Sequence, residues 1–217
     1  MLVLITGRPY DLSWASDHVA AILQAWYPGE QGGYALCDLL FGAESPSGRL
    51  PISFPRSTGH IPSFYNHKVS ARGYYKKPGS TEQPGRDYVF STPQPLYPFG
   101  HGLSYTTFSY SDLCVKPEET SADGHVDVTV TVTNTGGLTG KETVLLFLTD
   151  CYRRITPLVR QLRGISKIEL RPGESRQVTF RLDQSDLSFI NEQMKPEVEP
   201  GTFKVSVGPL ETSFQVV

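Results

Sequence analysis

Hydrophobic and polar residues alternate along much of the second half of the chain. The clearest example is residues 125–134, where valines occupy every second position from Val126 to Val132 and polar residues lie between them. Alternation with a period of two is typical of a strand with one buried face and one solvated face. Five further runs predict strands: residues 143–149, 162–170, 177–182, 203–207 and 213–217.

Turn signals separate these runs at regular intervals. They are N-T-G-G at 134–137, R-P-G-E at 171–174 and P-G at 200–201. About seven short strands within ~110 residues indicate an immunoglobulin-like or fibronectin-like β-sandwich. Because no Cys…Trp…Cys spacing is present, we predict the fibronectin type III-like form for residues 101–217.

The first 55 residues follow a different pattern. Residues 2–6 and 20–26 are continuous apolar runs, which predict strands covered on both faces. Ser13–His18 predicts a short helix between them, and Glu30 opens a second helix. This is the order of an α/β layer, but two strands are too few for a sheet with both faces covered. We therefore predict a mixed fold class, in which residues 1–55 are the remnant of an α/β sandwich domain that precedes the β-sandwich.

Side-chain spacing within this first part gives two finer expectations. In the second helix, Tyr34, Cys37 and Leu40 fall on one apolar stripe, which predicts that Cys37 lies in the core. Leucine, isoleucine and phenylalanine alternate within the proline-punctuated residues 45–55, which predicts an edge strand there.

Composition and charge exclude several classes of function. The 217 residues carry a formal net charge of -2, so no basic field exists to attract nucleic acid or an anionic membrane. The longest apolar runs are far shorter than the ~20 residues of a membrane span. The chain starts on an apolar run without the basic segment of a signal peptide, so we expect further sequence upstream of Met1.

Cysteine and histidine spacing does not predict a metal site. The three cysteines lie far apart with no C-x-x-C, and a single Cys114–Cys151 disulfide stays open. The five histidines have no metal-ligand spacing, so we predict neither a metal nor a cofactor. His67 is expected to be a hydrogen-bonded histidine between domains rather than a catalytic one.

Two pairs of neighbouring carboxylates are candidate acid/base groups. Glu118 and Glu119 lie in a polar turn, and Asp183 and Asp186 flank another turn. Neither pair has the apolar surroundings that would raise the pKa of one carboxyl group above that of the other. We therefore expect both pairs to lie on the solvated surface. The glycine-rich residues 29–33 lack the Gly-Lys-Ser/Thr of a phosphate loop and predict a tight turn.

Five ordered runs of residues carry a family resemblance. They are G-R-P at 7–9, A-W-Y-P-G-E-Q-G-G at 25–33, L-L-F-G-A-E-S-P-S-G-R-L-P at 39–51, I-P-S-F-Y-N-H-K at 61–68 and L-Y-P-F-G-H-G-L-S-Y-T-T-F at 96–108. Together they resemble the C-terminal portion of glycoside hydrolase family 3, the β-glucosidases and β-xylosidases. Residues 130–140 and 161–174 resemble its appended fibronectin-like domain.

The resemblance implies a retaining glycosidase that acts on terminal β-linked glucose or xylose, in a β-linked oligosaccharide or an aryl glycoside. Retaining chemistry needs two carboxyl groups ~5–5.5 Å apart. In the family, the nucleophile lies on an N-terminal barrel and the acid/base carboxyl precedes the G-R-P strand. Both positions fall before residue 1, so no catalytic residue is assigned here and the isolated chain is predicted to be inactive.

The resemblance also implies partners and a location. The N-terminal barrel and the rest of the α/β domain would complete the enzyme, and a homodimer is one expected assembly. A periplasmic or secreted location is favoured over the cytoplasm.

The long irregular stretch at residues 56–100, called the connector below, holds the candidate substrate-binding residues. Tyrosine rings stack on sugars and arginine bonds to hydroxyl groups. Tyr74, Tyr75, Arg86 and Asp87 are therefore expected to reach a leaving-group subsite of the complete enzyme. The alternative is a structural role, in which the connector staples the sandwich to the α/β layer.

Two other classes of function stay open on the sequence. The first alternative is a stand-alone carbohydrate-binding or interaction sandwich. The second is the C-terminal subunit of a split glycosidase. The sandwich sequence has no tryptophan and no run of aromatic residues for a sugar platform, which disfavours the binding module. An exposed apolar edge along residues 2–6 would favour either glycosidase hypothesis.

Overall fold

The chain forms two compact units. A computed structural model describes residues 1–68, 82, 92 and 94–217. The first unit comprises Met1–Tyr65 and Ser70–Leu103, and the second comprises Asn66–Val69 and Ser104–Val217. The domain limits predicted at residues 55 and 100 stay predictions. Within the described ranges, no helix is long and apolar enough to cross a membrane.

The first unit contains the predicted strand–helix–strand–helix order. Strand β1 (Leu2–Leu4) is followed by helix α1 (Ser13–His18), strand β2 (Ile22–Gln24) and helix α2 (Gly32–Leu40). The two strands pair in parallel, with Leu2 opposite Ile22. Parallel pairing requires a crossover connection, which α1 and its flanking residues supply. This arrangement confirms the α/β part of the predicted fold class.

Helix α2 presents its apolar stripe to solvent, contrary to the prediction. Tyr34 is 74% exposed, Phe41 is 86% exposed and Cys37 is exposed as well. The expectation that Cys37 lies in the core is therefore wrong. Periodicity shows which face of a helix is suited to burial, but the two-stranded sheet of the described chain leaves this face uncovered. The helix also begins at Gly32, after the turn, rather than at Glu30.

Residues 45–55 do not form the predicted edge strand. Pro51 and Pro55 lack the backbone N–H that a ladder needs. The segment keeps an isolated bridge between Phe54 and Tyr97 and two backbone hydrogen bonds at Leu50. The Phe54 side chain is buried, and its ring meets Tyr97 edge-on with centroids 6.4 Å apart. The alternation was real, but it buries one aromatic side chain without building a strand.

The second unit is a β-sandwich. Its strands are β3 (Phe108–Lys116), β4 (Glu119–Thr120), β5 (Val126–Asn134), β6 (Gly140–Asp150), β7 (Gln161–Leu170), β8 (Ser175–Leu182), β9 (Phe189–Ile190), β10 (Pro196–Glu197), β11 (Gly201–Val207) and β12 (Leu210–Val216), with helix α3 (Gln184–Leu187) after β8. One sheet has the order β3-β5-β8, the other β4-β12-β11-β6-β7, and β9 pairs with β10. The all-β part of the fold class is thus confirmed.

The core lies between the two larger sheets. Every second residue of β5, from Val126 to Val132, is completely buried, as the alternation predicted. The opposite sheet contributes Val144, Leu146 and the stacked pair Phe203 and Phe214, whose ring centroids lie 5.5 Å apart. The strands pack because each has one continuous apolar face.

A buried asparagine joins the start of the sandwich to two of its turns. The Nδ2 group of Asn134 donates to the carbonyl oxygens of Leu138 and Leu170, at 2.8 and 2.9 Å. Its Oδ1 atom accepts from the Thr106 hydroxyl at 2.7 Å and from the Gly136 N–H at 3.0 Å. Asn134 is fully buried, and its hydrogen bonds with Thr106 and Leu170 are buried as well, whereas those with Leu138 and Gly136 are partly buried.

Replacing this side chain should destabilise the sandwich strongly. Asn134→Ala leaves the carbonyls of Leu138 and Leu170 without their amide donor, and a buried unsatisfied group costs about 1–3 kcal/mol. We expect a loss of roughly 2–4 kcal/mol in the free energy of unfolding, measured by urea denaturation. Gln215→Ala is the control, since it removes an exposed pair with Thr202 and should change stability by less than about 0.5 kcal/mol. Equal midpoints for the two variants would contradict the assigned role of Asn134.

Gly164 should tolerate no side chain, because the Phe180 ring packs directly against its backbone. A Cβ atom at Gly164 would lie 2.5 Å from the Cδ1 atom of Phe180. Gly164→Ala is therefore expected to cost about 1–3 kcal/mol by overpacking, and adding Phe180→Leu should recover part of the loss. Gly137→Ala meets nothing within 4 Å and should be close to neutral in the same thermal unfolding measurement. A neutral Gly164→Ala would show that the ring can move away.

Candidate functional site

The carboxyl ends of the two parallel strands form the first candidate site. In open α/β sheets, ligands bind at the edge where the strands end. Here the Gln24 side chain crosses from β2 and donates from Nε2 to the carbonyl oxygen of Thr6 at 3.0 Å. This bond fixes the two strand ends relative to each other.

Aromatic and cationic side chains lie just beyond this edge. The Tyr27 ring is 80% exposed and covers Gly7 so closely that a Cβ there would lie 2.5 Å from Tyr27 Cε2. The Arg8 guanidinium lies 5.6 Å from the centroid of the Tyr10 ring, and hydrogen bonding to Tyr10 raises the pKa of Arg8. Exposed rings beside a guanidinium group suit contact with a sugar.

Trp26 holds the turn that carries Tyr27 in an unusual conformation. Its φ angle is 55°, a left-handed value that is a genuine outlier for a bulky residue. Its ring packs against Phe54, with centroids 6.1 Å apart. Backbone strain of this kind concentrates at functional sites, so Trp26 marks this edge as a place where geometry is constrained.

The two ends of the connector meet in the first unit. Tyr65 stacks on Phe99 with ring centroids 4.1 Å apart, and the backbone N–H of Phe99 donates to the Ser53 hydroxyl at 3.1 Å. Arg56 Nε also donates to the carbonyl oxygen of Gln94 at 2.9 Å. The segments on the two sides of the connector are therefore held close together, at Tyr65 with Phe99 and at Arg56 with Gln94.

The four candidate substrate-binding residues lie between these contacts in the sequence. Tyr74, Tyr75, Arg86 and Asp87 fall outside the described residues, so their role stays a prediction.

Three histidines, His18, His67 and His101, have ring or hydrogen-bond contacts with nearby residues. Trp14 stacks on His18, with centroids 4.4 Å apart, and Tyr97 stacks on His101 at 5.0 Å. Burial, together with the charge of Arg49, lowers the pKa of His101. The Nδ1 atom of His67 lies 2.9 Å from the carbonyl oxygen of its neighbour Lys68. The interpretation of His67 as a hydrogen-bonded histidine between domains stays a prediction.

Metal and disulfide chemistry find no support in the part of the chain that the structure describes. No three His, Cys, Asp or Glu side chains there form a group able to hold a metal ion. All three cysteines are free, so the Cys114–Cys151 disulfide that the sequence left open is not formed.

Asp183 and Asp186 cap helix α3. Asp183 Oδ1 accepts from the Ser185 N–H at 2.8 Å, and Asp186 Oδ2 accepts from the Asp183 N–H at 3.2 Å. Hydrogen bonds from the Ser185 side chain and backbone lower the pKa of Asp183. A general acid needs a raised pKa, so Asp183 is unsuited to that role, and both carboxylates cap the helix instead.

Sequence reasoning missed one perturbed carboxyl group, Asp150. Burial raises its pKa, and the nearby Arg153 opposes the shift. Asp150 and Asp186 line the same small cavity of about 10 Å³, which has room for at most one water molecule and none for a sugar ring. The position of Asp150 directly after the apolar run 143–149 was the available signal.

Comparison with known proteins places both parts of the chain. Residues 1–105 match the glycosyl hydrolase family 3 C-terminal domain, and residues 142–210 match the fibronectin type III-like domain. A periplasmic β-glucosidase of Salmonella typhimurium is 44% identical over 211 residues, which cover 96% of this chain and 27% of the relative. A β-xylosidase of Formosa agariphila is 38% identical, with 96% of this chain and 28% of the relative covered.

Solved structures give the same result. A β-glucosidase from Erythrobacter marinus superimposes with a TM-score of 0.90 at 37% identity, covering 99% of this chain and 28% of that one. A mutant β-glucosidase from Listeria innocua in complex with laminaribiose gives 0.88 at 34% identity, with 99% and 30% covered. The chain thus spans about a quarter to a third of the length of the proteins it matches. It belongs to glycoside hydrolase family 3, of which it carries C-terminal domain sequence followed by the fibronectin type III-like domain.

Proposed function

We propose that this chain is the C-terminal part of a retaining β-glycosidase that releases terminal β-linked glucose or xylose. The observation that carries the proposal is the match of 96% of the chain to enzymes named as a β-glucosidase and a β-xylosidase. Because the chain spans little more than a quarter of either enzyme, its proposed role is to support the active site rather than to perform the chemistry alone.

The described carboxylates favour this division of labour. Retaining hydrolysis needs two carboxyl groups ~5–5.5 Å apart with a sugar between them. Asp183 and Asp186 are engaged in the α3 cap, and the cavity beside Asp150 is too small for a sugar. The nucleophile and the acid/base group are therefore proposed to come from polypeptide outside this chain.

The first unit is proposed to form part of the pocket wall. The exposed aromatic rings of Tyr10 and Tyr27 with Arg8 at the strand ends, and the closed base of the connector, support this role. The exposed apolar side chains of Ile5, Tyr34 and Phe41 support burial against the remainder of an α/β domain. They favour both glycosidase hypotheses over a stand-alone binding module.

The name of one relative supports a cellular location for the complete protein. The Salmonella relative is named as periplasmic, which supports a periplasmic or secreted location for the complete protein. The proposed partners are a β-linked oligosaccharide or aryl glycoside and the preceding barrel, and a homodimer stays a prediction.

The 217-residue chain alone should not hydrolyse aryl β-glucoside or aryl β-xyloside above the buffer rate. A chimera in which it replaces the matching C-terminal part of the Salmonella enzyme should hydrolyse at least one of the two substrates. Release of the aryl group, followed by absorbance, measures both reactions. Turnover by the purified chain alone, or a folded chimera inactive on both substrates, would contradict the proposal.

In the chimera, Tyr75→Ala or Arg86→Ala should raise KM about fivefold to tenfold with kcat nearly unchanged. Loss of a stacking contact or of a charged hydrogen bond removes roughly 1–1.5 kcal/mol of binding. Tyr75→Phe keeps the ring and should stay near the parent value. Arg176→Ala removes an arginine that pairs with Glu174 in the sandwich, and it serves as the charge control. Unchanged KM with lowered thermal stability would instead support the staple hypothesis.

A further inference from the structure

We propose that residues 151–160 of the sandwich, called the clasp below, fix the connector at His67 and Lys68. Arg154 keeps the clasp closed. The consequence for substrate binding rests on the function proposed above, whereas the clasp itself stands on contacts within the second unit. Asn66–Val69 and Ser104–Val217 both belong to that unit.

The connector joins the clasp by backbone pairing. The Val159 N–H donates to the carbonyl oxygen of His67 at 2.9 Å, and Lys68 forms an antiparallel bridge with Leu158. The Thr149 hydroxyl at the end of β6 donates to the carbonyl oxygen of Val159 at 2.8 Å. Val159 therefore connects the connector to the sandwich through both of its peptide groups, in the manner of an added strand.

Arg154 ties the beginning of the clasp to the residues around β10. Its backbone N–H donates to Glu199 Oε2 at 2.9 Å, and its guanidinium group bonds to both Glu197 and Glu199. Asn191 Nδ2 donates to Glu197 Oε2 at 2.8 Å and holds that carboxylate in place. One arginine bonded to two carboxylates gives more definite geometry than an isolated surface ion pair.

The side chain of the preceding residue, Arg153, contacts both the clasp and the neighbouring strands of the sandwich. Its Nε atom donates to the carbonyl oxygen of Ile155 at 3.0 Å, and its guanidinium lies 4.7 Å from the centroid of the Phe189 ring. The side chain also lies 3.9 Å from Asp150 and is largely buried. Arg153 thus packs against the sandwich, while the more exposed Arg154 bonds to Glu197 and Glu199 at the surface.

The charges of the clasp are stable near neutral pH. Burial acts to raise the pKa of Glu199, but hydrogen bonds from the backbone and side chain of Arg154 outweigh it and lower the pKa. Hydrogen bonding to Glu199 and the charge of Glu197 raise the pKa of Arg154. Glu199 and Arg154 therefore both stay ionised, as the clasp requires.

The clasp limits how far the candidate substrate residues can reach. Tyr75 follows Lys68 by seven positions, so an extended chain anchored at Lys68 spans at most roughly 23–25 Å to it. If the clasp opens, the preceding described contact is the stack of Tyr65 on Phe99, and the longest possible span to Tyr75 grows by about 10 Å. We expect this wider permitted range to weaken substrate binding more than it slows the chemical step.

Hydrogen exchange in the 217-residue chain tests the clasp directly. In Arg154→Ala, the amide of Val159 should exchange about fivefold to tenfold faster, since the ion pairs that hold the loop are lost. The buried amides of β5 should keep their rates, because the core is untouched. Arg154→Lys should give an intermediate rate, and Glu197→Gln with Glu199→Gln should reproduce the alanine variant.

Arg176→Ala is the matched control, since it breaks an exposed pair with Glu174 at 2.8 Å elsewhere in the sandwich. It should leave Val159 exchange unchanged. Equal Val159 rates in Arg154→Ala and Arg176→Ala would overturn the clasp, and so would faster exchange throughout β5, which would indicate general destabilisation.

The same variant in the chimera tests the positioning role. Arg154→Ala should raise KM about threefold or more while kcat stays within twofold, because a less definite anchor for the connector weakens substrate binding more than the chemical step. Unchanged KM would overturn the positioning role. An unsubstituted chimera without activity would contradict the proposed function, whereas the exchange result does not depend on it.

Discussion

Burial of one face of β5 between two sheets is the constraint on which the described structure depends most. Four valines from Val126 to Val132 are completely buried, and each contributes roughly 1.5–3 kcal/mol relative to an exposed position. Among the described residues of the first unit, the two parallel strands bury none of their own residues completely. The sandwich therefore holds the larger described core, and segments that pair with it gain order from it.

The connector illustrates that dependence. A long connecting segment loses conformational entropy when its side chains are held in place. Two contacts reduce this cost: the stack of Tyr65 on Phe99, and the pairing of residues 67–68 with the clasp. The second point lies on the sandwich, so the fibronectin-like domain acts on a segment that precedes it in sequence. An appended domain can therefore matter to a site without contributing a residue to it.

The parts of the fold that could be predicted are those whose signal is local. The β5 alternation, the turn at 171–174 and the Ser13–His18 helix need only neighbouring residues, and each is present. Cys37 was misplaced because an amphipathic stripe does not reveal whether anything covers it. The strand predicted at 45–55 failed because Pro51 and Pro55 cannot donate to a ladder, although the side chains alternate as a strand would.

The contacts that define the candidate sites could not be predicted for a different reason. Tyr65 and Phe99, or Arg154 and Glu199, are far apart in sequence, and no periodicity links the members of either pair. Family motifs located the G-R-P and W-Y-P-G runs but did not show that the Tyr27 ring covers Gly7. Such contacts arise only when the topology returns one segment to another. In this chain the segments that return carry aromatic rings and guanidinium groups, so the least predictable contacts are those on which the proposed function depends.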